Sequence, residues 1–296
     1  MSNSTSATGG LRFSSVVTRE PHPVGARCMI RQFRHTDFGG AMSPLVLVDH
    51  FVMNGPTFEL HPHAGMSAVT ILFEDTKGWM SSHDSIQNDH LIEPGDLHWT
   101  LAGKGIVHTQ QPEGEQPRLD GLQLFVNLPR RLKRLEPATL LLSAGDAPVI
   151  DGPGMRLRIL AGEFGGQSSP LETPEPILIV DGSVDGDART DVPLPPGWNL
   201  WLYVREGGLS ASDPEALGSD GVTLFANEAV AVSTAEGGTV ALRPSAAGAR
   251  FVAIAGPAID EPVVQAGPFV MSSQDEVRQA VTDFQAGRFG TVKPFA

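Results

Sequence analysis

Short apolar segments rich in β-branched residues recur along this chain at spacings of roughly 8–25 residues, with Gly, Pro and Asp between them. This pattern constrains the fold most. Such segments are too short and too evenly punctuated for a helical protein, and they suit strands joined by tight turns. In the first half they include 44–52 (PLVLVDHFV), 68–74 (AVTILFE), 96–103 (DLHWTLAG) and 121–127 (GLQLFVN). Leu122, Leu124 and Val126 fall on one face of the last of these. In the second half they are 155–162, 176–181, 198–206, 222–226, 229–234, 239–244 and 250–256. The expectation is all-β, two sandwich or barrel domains joined near residues 128–150, the first over 11–135 and the second over 136–296, with residues 1–10 a flexible tail. No internal sequence repeat stands out, so the duplication is read from strand pattern alone.

The period changes at the end. Val277, Ala280, Val281 and Phe284 recur at helical spacing. Ser273 with Glu276 makes a capping-box signature and Gly287 suits the C′ position, which predicts one helix over 273–286. One basic run, 129–137 (PRRLKRLEP), stands out; it reads as a solvated interdomain strand or linker, with a partner-docking patch as the alternative.

Composition narrows the function. The 296 residues carry 34 acidic and 21 basic side chains, a net charge of −13 that repels phosphate backbones and argues against direct nucleic-acid binding. The single cysteine, Cys28, excludes an internal disulfide and a Cys-rich zinc site. The polar N-terminus does not resemble a signal peptide, and no run reaches the roughly 18 apolar residues of a membrane span. A cytoplasmic protein without a membrane partner is expected.

All nine histidines lie in the first 108 residues. An imidazole metal site therefore belongs to the first domain. His61 and His63 are two apart in HPHAGMSAVTILFE (61–74), as are His108 and Gln110 in GKGIVHTQQ (103–111). Side chains at i and i+2 of a strand share a face, so these four can converge inside a barrel. Imidazoles suit iron, nickel, copper or zinc, and three or four ligands leave coordination positions open. The turn Gly103-Lys104-Gly105 would let the backbone bend close to the site. His22, His35, His83 and His90 lie in polar turns and loops and are expected to be solvated. His98 is expected to pack within its strand, and His50 to pack with a supporting role at most.

The stretches HPHAGMSAVTILFE, EPGDLHWTLAGKGIVHTQQP and GLQLFVNLP, with the tail EPVVQAGPFVMSSQDEVRQAVTDFQAGRFG, resemble the pirin family. The resemblance implies a bicupin, two cupin barrels facing each other, with one divalent metal in the N-terminal barrel. Iron(II) comes first, with nickel, copper, zinc or manganese as alternatives. The implied ligands are His61, His63, His108 and the position of Gln110, where the family has a glutamate. A glutamate that members often carry just after H-P-H-x-G is replaced by Met66-Ser67. Removing carboxylates leaves the centre more positive, weakens binding of a hard cation and removes an obvious base. Glu113 and Glu115 lie just downstream in a Pro/Gly-rich loop and are expected to be solvated. The family implies two functions. One is quercetin 2,3-dioxygenase-type oxidation of a flavonol- or catechol-like aromatic. The other is a non-catalytic, metal- or redox-responsive role, binding transcription factors or metabolic enzymes.

Overall fold

The computed structural model describes residues 10–216 and 221–293, so all but the last residue of the expected N-terminal tail lies outside the described residues. Two ten-stranded antiparallel sheets make up most of it. In the first half, neighbouring strands run Ala138–Leu142, Leu97–Leu101, Met66–Leu72, Ile106–Asn127, Leu45–Met53, Cys28–Arg34 and His22–Val24. The long strand Ile106–Asn127 turns a corner. Its first part pairs with Phe58–His63 and Lys77–Asp84, and its second with Leu45–Met53 and Met66–Leu72.

Strand alternation gives this sheet two jobs. Leu122, Leu124 and Val126 face one way, as their period-2 spacing predicts, and join Val69, Ile71 and Trp99. That face is not solvated. It packs on Trp201, Tyr203 and Ile254 of the second half in one continuous core. Trp201 and Tyr203 are stacked with ring centroids 5.5 Å apart, and Phe33 meets both edge-on. Each fully buried aliphatic or Phe side chain of this interface stabilises it by roughly 1.5–3 kcal/mol. At its polar edge the Tyr203 hydroxyl donates to His50 Nδ1 at 2.6 Å, and His50 Nε2 donates to Asp120 at 2.8 Å. His50 thus acts as an interdomain latch.

The second half repeats the plan around Trp198–Ser212 and Gly238–Pro257. The segments 239–244 and 250–256, predicted as two strands, form one long bent strand. Its partner Trp198–Ser212 shifts register twice, which lets the pair bend without a loop. The inner positions carry Leu157, Ile159, Leu200, Leu202, Val240 and Phe251, so this barrel is filled by its own side chains.

Strand pairing crosses the boundaries expected at residues 11, 135 and 136. Arg12–Phe13 and Val17–Thr18 add to Glu228–Ser233 of the second half, while Ala138–Leu142 adds to Leu97–Leu101 of the first. Each crossing covers a sheet edge that would otherwise present unpaired backbone groups. The tail returns as well. Val264–Ala266 and Phe269–Met271 form a hairpin, and the Val270 amide donates to Ala64 on the first sheet at 3.0 Å. The helix is Gln274–Gln285, with Ser273 Oγ accepting from the Glu276 amide and Gly287 left-handed, as the caps predict. Val277 and Ala280 pack with Phe269 and Phe289 against Ala64. No described helix is long and apolar enough to cross a membrane.

Two local expectations are corrected. The basic run is a linker whose Arg130, Arg131 and Arg134 are exposed, as expected, but it is not a strand and one of its cations is buried. It forms a short 3₁₀ turn, Arg130–Leu132, followed by Lys133, which is 4% exposed. The Lys133 ammonium donates to Gly65 O (2.8 Å), Asn127 Oδ1 (2.6 Å) and Val270 O (3.0 Å), three acceptors for its three protons. Burial pushes its pKa down to about 8. Arg130 pairs with Glu276, and Arg131 with Glu175. The stretch SSHDSIQNDH, expected as a polar loop, ends one strand, Lys77–Asp84, and starts another, Asp89–Ile92. His83 there meets Asp89, and His90 meets His98, so neither is a simply solvated imidazole.

Candidate metal site

His61 and His63 point the same way from Phe58–His63, and His61 lies directly opposite His108 in the antiparallel register. The three rings form a compact triangle with centroids 4.6–4.9 Å apart. One ring nitrogen from each lies within 4.8 Å of the others. His61 Nδ1 donates to the Glu59 carbonyl at 2.8 Å. That bond fixes the tautomer and leaves the Nε2 lone pair facing His108 Nε2 at 3.1 Å.

All three imidazoles are held neutral. Burial is the largest cause for each: it lowers the pKa of His61, brings His63 to about 3 with help from the neighbouring His61, and drives His108 well down. The Pro268 carbonyl pulls His63 weakly the other way. Neutral imidazole is the form that binds a metal, so no proton competes for these nitrogens near neutral pH. The Nδ1 atoms of His63 and His108 are buried without a hydrogen-bond partner among the described residues. Three converging ring nitrogens and a pre-set tautomer are what a cation would satisfy, and the residues present fit a metal ion.

Gln110 shares the face of His108, as the spacing predicts, but its amide is turned to other partners. The ladder to Phe58–His63 is irregular between His108 and Gln110, while pairing with Lys77–Asp84 stays in register there. The Gln110 side chain borders the same cavity, but both ends of its amide are engaged. Oε1 accepts from the Thr70 hydroxyl at 2.9 Å and Nε2 donates to His98 Nδ1 at 3.3 Å. With Nδ1 accepting, His98 carries its proton on Nε2 and donates to His90 Nδ1 at 3.1 Å. His98 is buried, as expected, and burial lowers its pKa to about 3. Glu113 and Glu115 are exposed, in line with the solvated reading.

Gly103 and Gly105 form the expected turn, both with positive φ, and the Gly105 amide donates to Ala102 O at 2.8 Å. Glycine also admits the returning tail: a Cβ on Gly105 would stand 2.1 Å from the Phe289 ring, and one on Gly65 would stand 2.1 Å from the Val270 carbonyl.

The histidines open into a cavity of about 210 Å³. Its apolar wall comes from Ile30, Phe51, Met53, Phe58, Met80 and Phe125, and the tail turn Gly267-Pro268 closes one side. Asp49 and Gln123 also line it. Both belong to a polar row running across the inner face of five adjacent strands, in the order Gln32, Asp49, Gln123, Thr70, His98. Sequence reading missed this row. The available signal was a carboxylate, Asp49, inside the apolar run PLVLVDHFV, and Gln123 as the polar member between Leu122 and Leu124.

The profile of the pirin family matches residues 17–126, and that of the pirin C-terminal cupin domain matches residues 179–290. The chain belongs to the pirin family. It is 34% identical to pirin of Rattus norvegicus over 283 residues, 93% of this chain and 92% of that one. A pirin-like protein of Solanum lycopersicum is 36% identical over 251 residues, 84% of this pirin and 82% of the relative. Among solved structures, quercetin 2,3-dioxygenase from Acinetobacter baumannii superposes with a TM-score of 0.82 at 28% identity, covering 96% of this chain and 100% of that chain. The bacterial pirin YhhW of Escherichia coli, in complex with nickel(II), shares the fold at 17% identity and a TM-score of 0.63, over 83% of this chain and 99% of that one. The two halves of the present pirin are thus two cupin domains, and the histidine cluster lies in the first.

Proposed function

We propose that this pirin is a metal-dependent dioxygenase of the quercetin 2,3-dioxygenase type, acting on a flavonol- or catechol-like aromatic with iron(II) held by His61, His63 and His108. The observation that carries the reading is the cluster of three neutral imidazoles facing an apolar, aromatic-walled cavity. Similarity to the Acinetobacter baumannii enzyme over nearly the whole chain supports it.

A bound metal would supply Lewis acidity toward a substrate oxygen and redox access to dioxygen. The protein's own residues do the rest. Phe51, Phe58 and Phe125 offer ring edges and faces to an aromatic substrate and keep water out. Gln110 and Gln123 both stand in the cavity wall 2.9 Å from the Thr70 hydroxyl, whose one proton goes to a single amide oxygen. In this reading Gln110 stays with Thr70 and His98, and the metal keeps three protein ligands with positions open.

Elemental analysis of the purified protein and of His61→Ala tests the site, and oxygen uptake with quercetin tests the activity. The expected result is a near-stoichiometric metal that His61→Ala loses, with oxygen consumed only by the loaded wild type. Metal-replete protein that neither consumes oxygen nor changes the quercetin spectrum refutes the dioxygenase reading. The carboxylate-free donor set favours a second reading, a metal-responsive protein-binding role, which requires metal uptake without turnover.

A further inference from the structure

Among the described residues, Asp49 is the one carboxylate lining the cavity. Alternation along Leu45–Met53 turns Asp49, Phe51 and Met53 toward the cavity, while Val48 joins the interdomain core. Oδ1 of Asp49 accepts from Gln32 Nε2 at 3.0 Å, and Oδ2 has no hydrogen-bond partner among the described residues. A purely structural partner for Gln32 would need no charge. Asp49 is half-buried and its unpartnered Oδ2 is not sealed off, so a carboxylate oxygen stands open in an otherwise apolar wall, and such groups concentrate where chemistry is done.

We infer that Asp49 binds and deprotonates a hydroxyl of a compact hydroxylated aromatic held in the cavity, an assignment that rests on the proposed oxidation of such substrates. In the step, the hydroxyl proton passes to Asp49 Oδ2 and the O–H electron pair stays on the substrate oxygen. The negative charge moves from carboxylate to phenolate, and nothing is oxidised or reduced. The chain thereby regains the base that replacement of the family glutamate by Gln110 removes. A cavity of about 210 Å³ is small beside the roughly 300–1,000 Å³ usual for drug-sized ligands, so it takes the hydroxylated ring system that reacts and leaves the rest of a larger substrate at its mouth.

The surroundings set the working range of the group. Burial raises the pKa of Asp49 to about 6, against the downward pull of the Gln32 bond and of His22 and Arg34. The neighbouring Cys28 is a neutral thiol, its pKa raised to about 11 by burial and by Asp49 itself. Asp49 is therefore ionised near neutral pH and still basic enough to accept a proton.

The test is calorimetric titration of metal-free protein with catechol, which is itself neutral throughout a series from about pH 5 to about pH 8. Metal content is measured separately on loaded samples. Wild-type affinity is expected to climb as pH rises through about 6. Asp49→Asn is expected to be flat with pH, at least about tenfold weaker at neutral pH, and unchanged in metal content. Wild-type affinity and profile in Asp49→Asn overturn the proposal, as does loss of metal from that variant, which would put the carboxylate on the metal side. If Asp49→Asn does not fold, Gln32→Leu decides. Removing that donor moves the binding midpoint to higher pH if Asp49 is the titrating group, and an unmoved midpoint overturns it. A wild type that takes up no metal sinks the dioxygenase reading but leaves the catechol titration able to judge Asp49.

Discussion

Replacing Asp49 by Asn is expected to stabilise the protein at neutral pH, although it removes a charged side chain from a hydrogen bond. The folded state holds the Asp49 proton up to a pKa of about 6, whereas an unperturbed aspartate releases it near 3.8. That difference corresponds to about 3 kcal/mol. The sign follows from proton counting. Between about pH 4 and about pH 6 the unfolded chain has lost the proton and the folded chain keeps it, so stability falls as pH rises through that window. The penalty is complete above about pH 6 and absent below about pH 4. Asparagine retains an Oδ1 that can accept from Gln32 and has no charge to desolvate. Urea unfolding of both proteins at about pH 4 and about pH 7.5, followed by far-ultraviolet circular dichroism, should give coincident midpoints in acid. At neutral pH the variant should be more stable by a few kcal/mol at most. A variant less stable at neutral pH, or a difference independent of pH, refutes the reasoning. A gain in stability joined to a loss of catechol binding is the trade expected of a strained functional group.

Lys133→Met strands three carbonyl acceptors, Gly65 O, Asn127 Oδ1 and Val270 O, and should cost roughly 2–4 kcal/mol with faster amide exchange in Phe269–Met271; unchanged exchange there would mean the cage does not hold the tail. Gln110→Glu sets a carboxylate against the His98 Nδ1 lone pair, which releases the side chain toward the histidines. It should tighten metal binding by about tenfold or more in a competition titration. Equal affinity would mean residue 110 stays with Thr70 and His98. Ser273→Ala removes the N-cap acceptor for the Glu276 amide and should cost about 1 kcal/mol, seen as faster exchange in the first turn of Gln274–Gln285.

The histidine triangle was legible in the sequence because it depends on local geometry. The i, i+2 spacing puts His61 and His63 on one face whatever the rest of the chain does. His108 then needs only an antiparallel neighbour, which the register supplies by setting it opposite His61. Gln110 keeps the same face and borders the cavity, but its amide is engaged by Thr70 and His98, which come from other strands and leave no mark in residue spacing. The polar row is invisible for a related reason. Positions 32, 49, 70, 98 and 123 become neighbours through the register of five strands, not through any motif. Lys133 looked solvated because its neighbours in sequence are charged, whereas its three acceptors come from residues 65, 127 and 270.

The same alternation bears on why the histidine cluster lies in the first barrel. In the first domain the outward positions of the central strands, Val48, Val69, Trp99 and Leu124, are committed to the interface with the second domain. That interface supplies core on the outside, and the inner face is free to hold Asp49, Gln123, Thr70 and His98 beside the histidines. The second domain lines both faces with apolar side chains, Trp201 and Tyr203 toward its partner and Leu200, Leu202 and Val204 within. A polar row in that apolar interior would meet apolar neighbours, and each unpaired group would cost roughly 1–3 kcal/mol. The second barrel spends its interior on stability, and the rigid platform it offers lets the first keep an open, partly polar cavity.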